Sequence, residues 1–274
     1  MRPARLLVVL GSILASVAGA ATPDAQTLQT MTARFAPVEI RVDLQHLPAN
    51  EREALAKLVA AARLLDPLFL RQRAPGNEAM LLDLIQDESP LGRARLRYFL
   101  LNKGPWSELD EDEPFLPGAP PKPPQGNFYP ADATREEVEA WLKGLPEDER
   151  QVASGFFTTI RRTPEGKLSA VPYSVEYQGE LTLAANLLRE AAGLTKQPTL
   201  AAFLNKRAQA FATNDYYESD IAWMELDATI EPTIGPYETY EDEWFNFKAA
   251  FEAFIAVTDA EETNKLARFS NELQ

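Results

Sequence analysis

The stretch Thr229-Ile230-Glu231-Pro232-Thr233-Ile234-Gly235-Pro236-Tyr237-Glu238-Thr239-Tyr240-Glu241-Asp242 decides how this chain is read. It places a Gly-Pro turn, two tyrosines and four carboxylates at the end of an apolar run, just upstream of Trp244, Phe245, Phe247, Phe251 and Phe254. Residues 229–257 carry two β-rich runs around the segment 234–242. The second run, about Ala250 to Val257, fits a strand, and Phe251, Phe254 and Ile255 fit helical spacing as well. If Glu238 and Tyr240 lie on a strand, they are two residues apart and point to the same face. A carboxylate and a phenol on one face suit a peptide, because the acid pairs with an ammonium while the hydroxyl donates to a carbonyl oxygen. A satisfied structural cluster at a strand edge explains the same residues.

Working outward, helical patterns dominate. After Asn50, read as an N-cap, Leu55, Leu58, Val59, Ala62 and Leu65 recur at three- and four-residue spacing until Pro67 interrupts them. Further stripes run through Met80, Leu81, Leu84 and Ile85, through Leu96, Phe99 and Leu100, through Leu183, Leu187 and Leu188, and through Leu200, Phe203, Leu204 and Phe211. Thr134 with Glu137 reads as a capping box for a helix burying Val138, Trp141 and Leu142, and Pro146 opens the next helix. Val38, Ile40, Val42 and Leu44 alternate with charged residues, the period-two pattern of a half-buried strand. Between Ser107 and Gly126 an acidic and then proline-rich stretch predicts an extended surface loop. Thr258 with Glu261 reads as one more capping box, heading a stripe of Leu266, Phe269 and Leu273 that stops at Gln274 without a C-cap. No internal repeat is evident.

Composition bounds the function classes. Arg2 and Arg5 precede an uncharged apolar run from Leu6 to Val17 and the small trio Ala18, Gly19, Ala20, the pattern of a secretory signal peptide over 1–20 with cleavage near Ala20. The expectation is a periplasmic or secreted protein beginning near residue 21, with no membrane partner after cleavage. With 41 acidic against 27 basic side chains, the formal net charge of −14 repels phosphate backbones and makes nucleic acid an unsuitable partner. The chain has no cysteine, so burial rather than a disulfide framework must stabilise it.

Several familiar chemistries are missing. Around Ser154, Val152 and Phe156 stand where a nucleophile elbow needs glycines. Arg189, Glu190 and Gly193 match the core of a Nudix box, but Ala191, Ala192 and Leu194 stand among them and the remaining glutamates of that pattern are absent. The acidic run from Glu108 to Glu113 lacks the spacing and turn glycine of an EF-hand loop. His46 is the lone histidine, and a zinc site usually takes several His or Cys ligands. These counts leave no catalytic residue and no metal ligand set in the chain.

The run IGPYETYED, followed by FKAAFEAFIAV, resembles the corresponding segment of the dipeptidyl peptidase III family of zinc metallopeptidases, especially its bacterial zinc-dependent hydrolase-like members. NDYYESDIAWMELD (Asn214 to Asp227), GNFYPADATREEVEAW (Gly126 to Trp141) and AARLLDPLFLRQ (Ala61 to Gln72) are similar to those members too. The resemblance implies an α+β, mainly α-helical fold, with a helical lobe and a mixed lobe built on a small β-barrel around a wide cleft. It favours strand over helix for 250–257 and assigns the strands to the barrel. It also implies that Glu238 holds a substrate's amino terminus and that Tyr240 assists at the scissile carbonyl, making these two the expected substrate-binding residues.

The departures from the family pattern carry equal weight. The family's zinc helix carries His-Glu-x-x-x-His or His-Glu-x-x-x-Gly-His, and one histidine cannot supply two. Residues 21–274 are therefore expected to be an N-terminal substrate-cleft portion, lacking the zinc-helix half, holding no cofactor of its own and inactive alone. Its expected partners are a peptide and a separately encoded catalytic half that would bring the zinc. The alternative is a stand-alone exported peptide-binding or scaffold protein without catalysis.

Overall fold

The computed structural model describes residues 22–259, 261–263 and 265–266. The signal-peptide segment 1–20 lies outside them, as do Phe269 and Leu273 of the last expected stripe. The helices are α1 (Ala25–Thr32), α2 (Ala49–Arg73), α3 (Asn77–Gln86), α4 (Pro90–Asn102), α5 (Arg135–Gly144), α6 (Glu147–Ala153), α7 (Tyr173–Glu176), α8 (Gln178–Leu194), α9 (Pro198–Thr213) and α10 (Tyr217–Met224). The strands pair only two by two: β1 (Trp106–Ser107) with β2 (Glu113–Pro114), β3 (Thr158–Arg162) with β4 (Leu168–Pro172), and β5 (Ile230–Glu238) with β6 (Ala250–Val257), all antiparallel. The fold is thus mixed α+β and mainly helical, as expected, but no closed barrel forms among the described residues.

α2 is the spine. Leu58, Ala61, Leu65 and Leu68 are fully or almost fully buried against α8, which meets them with Leu181, Ala184, Leu188 and Ala191. α9 then covers α8 with Leu200, Phe203, Leu204 and Phe211. Burying a side chain of this size stabilises by roughly 1.5–3 kcal/mol. The stripe expected from Leu183 is shifted, because Leu183 is exposed and the buried set falls on Leu181, Ala184 and Leu188. A second, smaller core joins α1, α3 and α4 through Leu28, Leu84, Tyr98 and Phe99, closed by Phe115 and Leu116.

Two helix boundaries differ from the sequence reading. Asn50 lies inside α2 rather than capping it, and its side chain reaches the Leu194 carbonyl. Pro67 lies within α2, which continues to Arg73. Proline withholds the N–H that would bond the Arg63 carbonyl, and burial of Leu65, Leu68 and Leu70 on either side offsets that loss. Glu51 clasps the start of α2 to the α8–α9 connection. Its buried carboxylate accepts from Thr195 Oγ1, the Lys196 N–H and Gln197 Nε2 at 2.7–2.9 Å.

The expected strand through Val38, Ile40, Val42 and Leu44 is not formed. These residues run irregularly, with Val38 79% and Ile40 86% exposed. Alternation specifies which face is buried only when another strand supplies the hydrogen bonds, and none lies beside it among the described residues. Conversely, the β3–β4 hairpin went unread in the sequence, although its β-branched Thr158-Thr159-Ile160 and the turn at Gly166 carry a signal.

The 107–126 loop is more tied down than its composition suggests. Trp106 is 2% exposed and donates to the Pro120 carbonyl. Three of its five acids meet a cation: Glu108 faces Arg73, Asp110 faces Arg34, and Asp112 faces Lys122. Thr134 caps α5 by accepting the Glu137 N–H, while the Glu137 carboxylate turns to Arg162 instead of closing the box. At the other end Asp259, not Thr258, accepts the Glu261 and Glu262 N–H groups, because Thr258 bonds back to Thr229.

Candidate functional site

β5 and β6 form the wall of a cleft, and Gln72 at the end of α2 stitches β6 in place. Its Oε1 accepts the Phe251 N–H at 2.8 Å and its backbone carbonyl accepts from Asn127 at 2.7 Å. Phe251 then packs among Tyr173, Tyr177 and Phe211 with ring centroids 5.7–6.1 Å apart. Residues 250–257 are therefore strand, because their partner is β5.

The ladder is irregular between Pro236 and Glu238. Gly235 lies opposite Glu252 there, at φ 155°. A β-carbon on Gly235 would lie 2.6 Å from Arg207 Nη1. Arg207 itself is fully buried, paired with Asp220 at 2.6 Å, with its guanidinium over the Phe203, Tyr216 and Tyr237 rings. Gly235 and Pro236 lie within β5 rather than in the turn the sequence suggests, and this buried cation is why position 235 needs a glycine.

The four carboxylates of the opening segment separate into distinct jobs. Glu231 is exposed on β5. Asp242 is fully buried and accepts from Tyr129 Oη at 2.8 Å, from the Phe247 N–H at 2.9 Å and from the Lys248 N–H at 3.2 Å, so it folds the β5–β6 connection. Burial raises its carboxyl above the usual range, against those donors. Glu241 pairs with Arg73 at 3.1 Å, and burial raises it too, with Arg73 and then Lys122 pulling the other way.

Glu238 alone of the four enters a cavity. The space measures about 480 Å³ between α2 and β6, and Glu238 and Glu252 both line it, with Phe69 and Phe251 in its apolar part. Burial, and then the facing Glu238 carboxylate, push Glu252 up to about 7. Two like-charged carboxyl groups lining one cavity favour a proton on one of them until a cation arrives. An ammonium group supplies that cation.

Tyr240 stands elsewhere than the same-face expectation put it. β5 ends at Glu238, and Tyr240 occupies the turn that follows, 78% exposed and outside the cavity lining. The alternation rule does not survive the end of the ladder. Glu252 was not singled out in the sequence, yet it is the one charged residue between Ala249 and Val257. A lone carboxylate in an apolar strand was its available signal.

The residues present do not fit a zinc centre. His46 is exposed in an irregular stretch, and no three His, Cys, Asp or Glu side chains converge among the described residues. No described helix is long and apolar enough to cross a membrane.

Residues 158–274 match Peptidase family M49. The chain is similar to the solved dipeptidyl-peptidase III of Corallococcus sp. strain EGB, 65% identical with a TM-score of 0.89 over 92% of this chain and 47% of that one. It is similar as well to DPP III of Caldithrix abyssi, 48% identical with a TM-score of 0.83 over 88% of this chain and 46% of that one. An Arabidopsis thaliana protein named Nudix hydrolase 3 is 37% identical over 298 residues, spanning 90% of this chain and 38% of that protein. This chain therefore spans less than half the length of each of these relatives. Its own weak Nudix pattern lies on α8, where Glu190 pairs with Lys57.

Proposed function

We propose that this chain is the peptide-cleft portion of an exported zinc-dependent dipeptidyl peptidase, incomplete for catalysis on its own residues. In this reading Glu238 and Glu252 take the free amino terminus of a peptide and Tyr240 assists at the scissile carbonyl. The helical part forms one lobe, and β5 and β6 contribute to a β-barrel lobe that further strands complete. The zinc and its ligands come from another stretch of polypeptide, such as a separately encoded catalytic half. Export rests on the composition of residues 1–20.

The observation that carries this reading is the Glu238–Glu252 pair inside a half-apolar cavity. A peptide ammonium neutralises two facing carboxylates better than any neutral group does, and the apolar wall accommodates a side chain. The similarity to dipeptidyl-peptidase III structures supports the same substrate class.

Calorimetric titration of the mature chain with trialanine and with N-acetyl-trialanine tests it. Binding that requires the free ammonium and is lost in Glu238→Gln is the expected result, with no zinc-dependent release of dipeptides. Equal binding of the acetylated peptide overturns the ammonium site. Stoichiometric zinc together with hydrolysis overturns the incompleteness.

A further inference from the structure

The cavity that holds Glu238 and Glu252 also has a cationic side. Arg63 enters it from the same face of α2 as Val59 and Phe69, and Lys103 enters it from the residue that ends α4. Other cations on α2 are taken: Arg71 pairs with Glu180, and Arg73 with Glu241 and Glu108. No ion pair among the described residues involves Arg63 or Lys103, and Asp66, one turn along α2 in the same lining, pairs with neither. Both side chains are exposed, so they line the cavity from its solvent side.

The backbone sets how Lys103 reaches the cavity. Lys103 holds φ 53°, ψ 32° at the C-cap of α4, a left-handed conformation in which glycine or asparagine is ordinarily placed. Gly104 follows immediately, so the strained position is held by a lysine with a glycine next to it. The same left-handed geometry caps α9 at Asn214, so at Lys103 it fixes where the side chain leaves the backbone.

We propose that Arg63 and Lys103 bind a carboxylate of the peptide, so that this cleft selects peptides carrying an acidic side chain or a free C terminus close to the N-terminal ammonium. The inference rests on the ammonium assignment above. A cavity of about 480 Å³ is roughly 8 Å across, and an extended residue advances about 3.5 Å, so the two charges belong within two or three residues of each other. With Glu252 holding a proton up to about pH 7, Asp66 and Glu238 balance Arg63 and Lys103, and the zwitterionic ends of a short peptide match them.

The test is calorimetry of the mature chain at low salt with Ala-Glu-Ala-amide, Ala-Gln-Ala-amide, Ala-Ala-Ala-amide and free Ala-Ala-Ala. The glutamate peptide should bind about 1.5-fold to fivefold more tightly than its glutamine counterpart, the range expected of an exposed ion pair. The ratio should shrink as salt rises and fall to near one in Lys103→Gln and in Arg63→Gln. A preference for the free acid over its amide assigns the carboxylate to the C terminus, and a preference confined to glutamate assigns it to a side chain; either supports the proposal. Lys103→Gly should lose the same preference while its melting temperature stays equal or rises, which a purely structural lysine would not permit. Peptides that bind with no regard to their carboxylates overturn the proposal and leave the ammonium site standing. Failure of every peptide to bind overturns both.

Discussion

The guanidinium of Arg73, 2% exposed, donates through Nε to Glu241 at 3.1 Å and so ties the end of α2 to the turn that carries Tyr240. Arg73 also donates to the Asn102 carbonyl and meets Glu108 at 3.0 Å, joining α4 and the acidic loop to the same point. Arg73→Ala leaves Glu241 buried without its cation, and breaking a buried pair from one side costs about 3–5 kcal/mol. Urea denaturation of the variant should report a loss in that range, and Glu241→Gln a smaller one.

Glu252 makes peptide binding pH-dependent. Its folded pKa is raised to about 7 from 4.5, so the carboxyl favours folding below about 4.5 and loses that contribution as pH rises through 7. Over the same interval it becomes a carboxylate able to pair with an ammonium. Affinity for a tripeptide should therefore rise severalfold between pH 6 and 8, and Glu252→Gln should flatten the curve. A wild-type curve as flat as that of the variant would remove Glu252 from the site.

Lys248 predicts a stability slope of definite sign. Its ammonium is buried and donates to the Ala153 and Gly155 carbonyls and to Thr158 Oγ1 at 2.6–3.0 Å. Burial pushes it down to about 7 from 10.5, with Asp242 opposing. The unfolded chain binds the extra proton between pH 7 and 10.5, so this group adds stability as pH rises through that window, by at most about 1.4 kcal/mol per pH unit. The difference in unfolding free energy between wild type and Lys248→Met, measured at pH 7 and at pH 10, should show it.

Gly235 is required by a neighbour rather than by a turn. Gly235→Ala drives a methyl group against the buried Arg207 guanidinium and should cost about 1–3 kcal/mol by chemical denaturation. Gly166→Ala meets nothing within 4 Å but keeps a φ of 80°, so its smaller cost isolates backbone strain from the clash.

Helices were the most legible part of this sequence. α3, α4, α5 and α9 fall where three- and four-residue spacing put them, because a helix fills its own hydrogen bonds and needs only one apolar face. Pairing of strands lies beyond such local rules. The 38–44 segment alternates as well as any strand yet has no neighbour, whereas β6 fits two periodicities and is decided by β5 lying beside it. The same holds in the site. Glu238 was evident in the motif, but Glu252, Arg63 and Lys103 come from distant elements, and only the packing of α2 against β6, beside the residue that follows α4, brings them to one cavity.

By itself, then, the sequence determined the helical framework, the negative charge, the shortage of zinc ligands and the kinship carried by residues 229–257. Tertiary structure alone decided which of the four carboxylates is free for a ligand. Asp242 and Glu241 are consumed by buried partners from Tyr129 and Arg73, contacts 113 and 168 residues away in the chain, and no local pattern encodes a meeting over such separations.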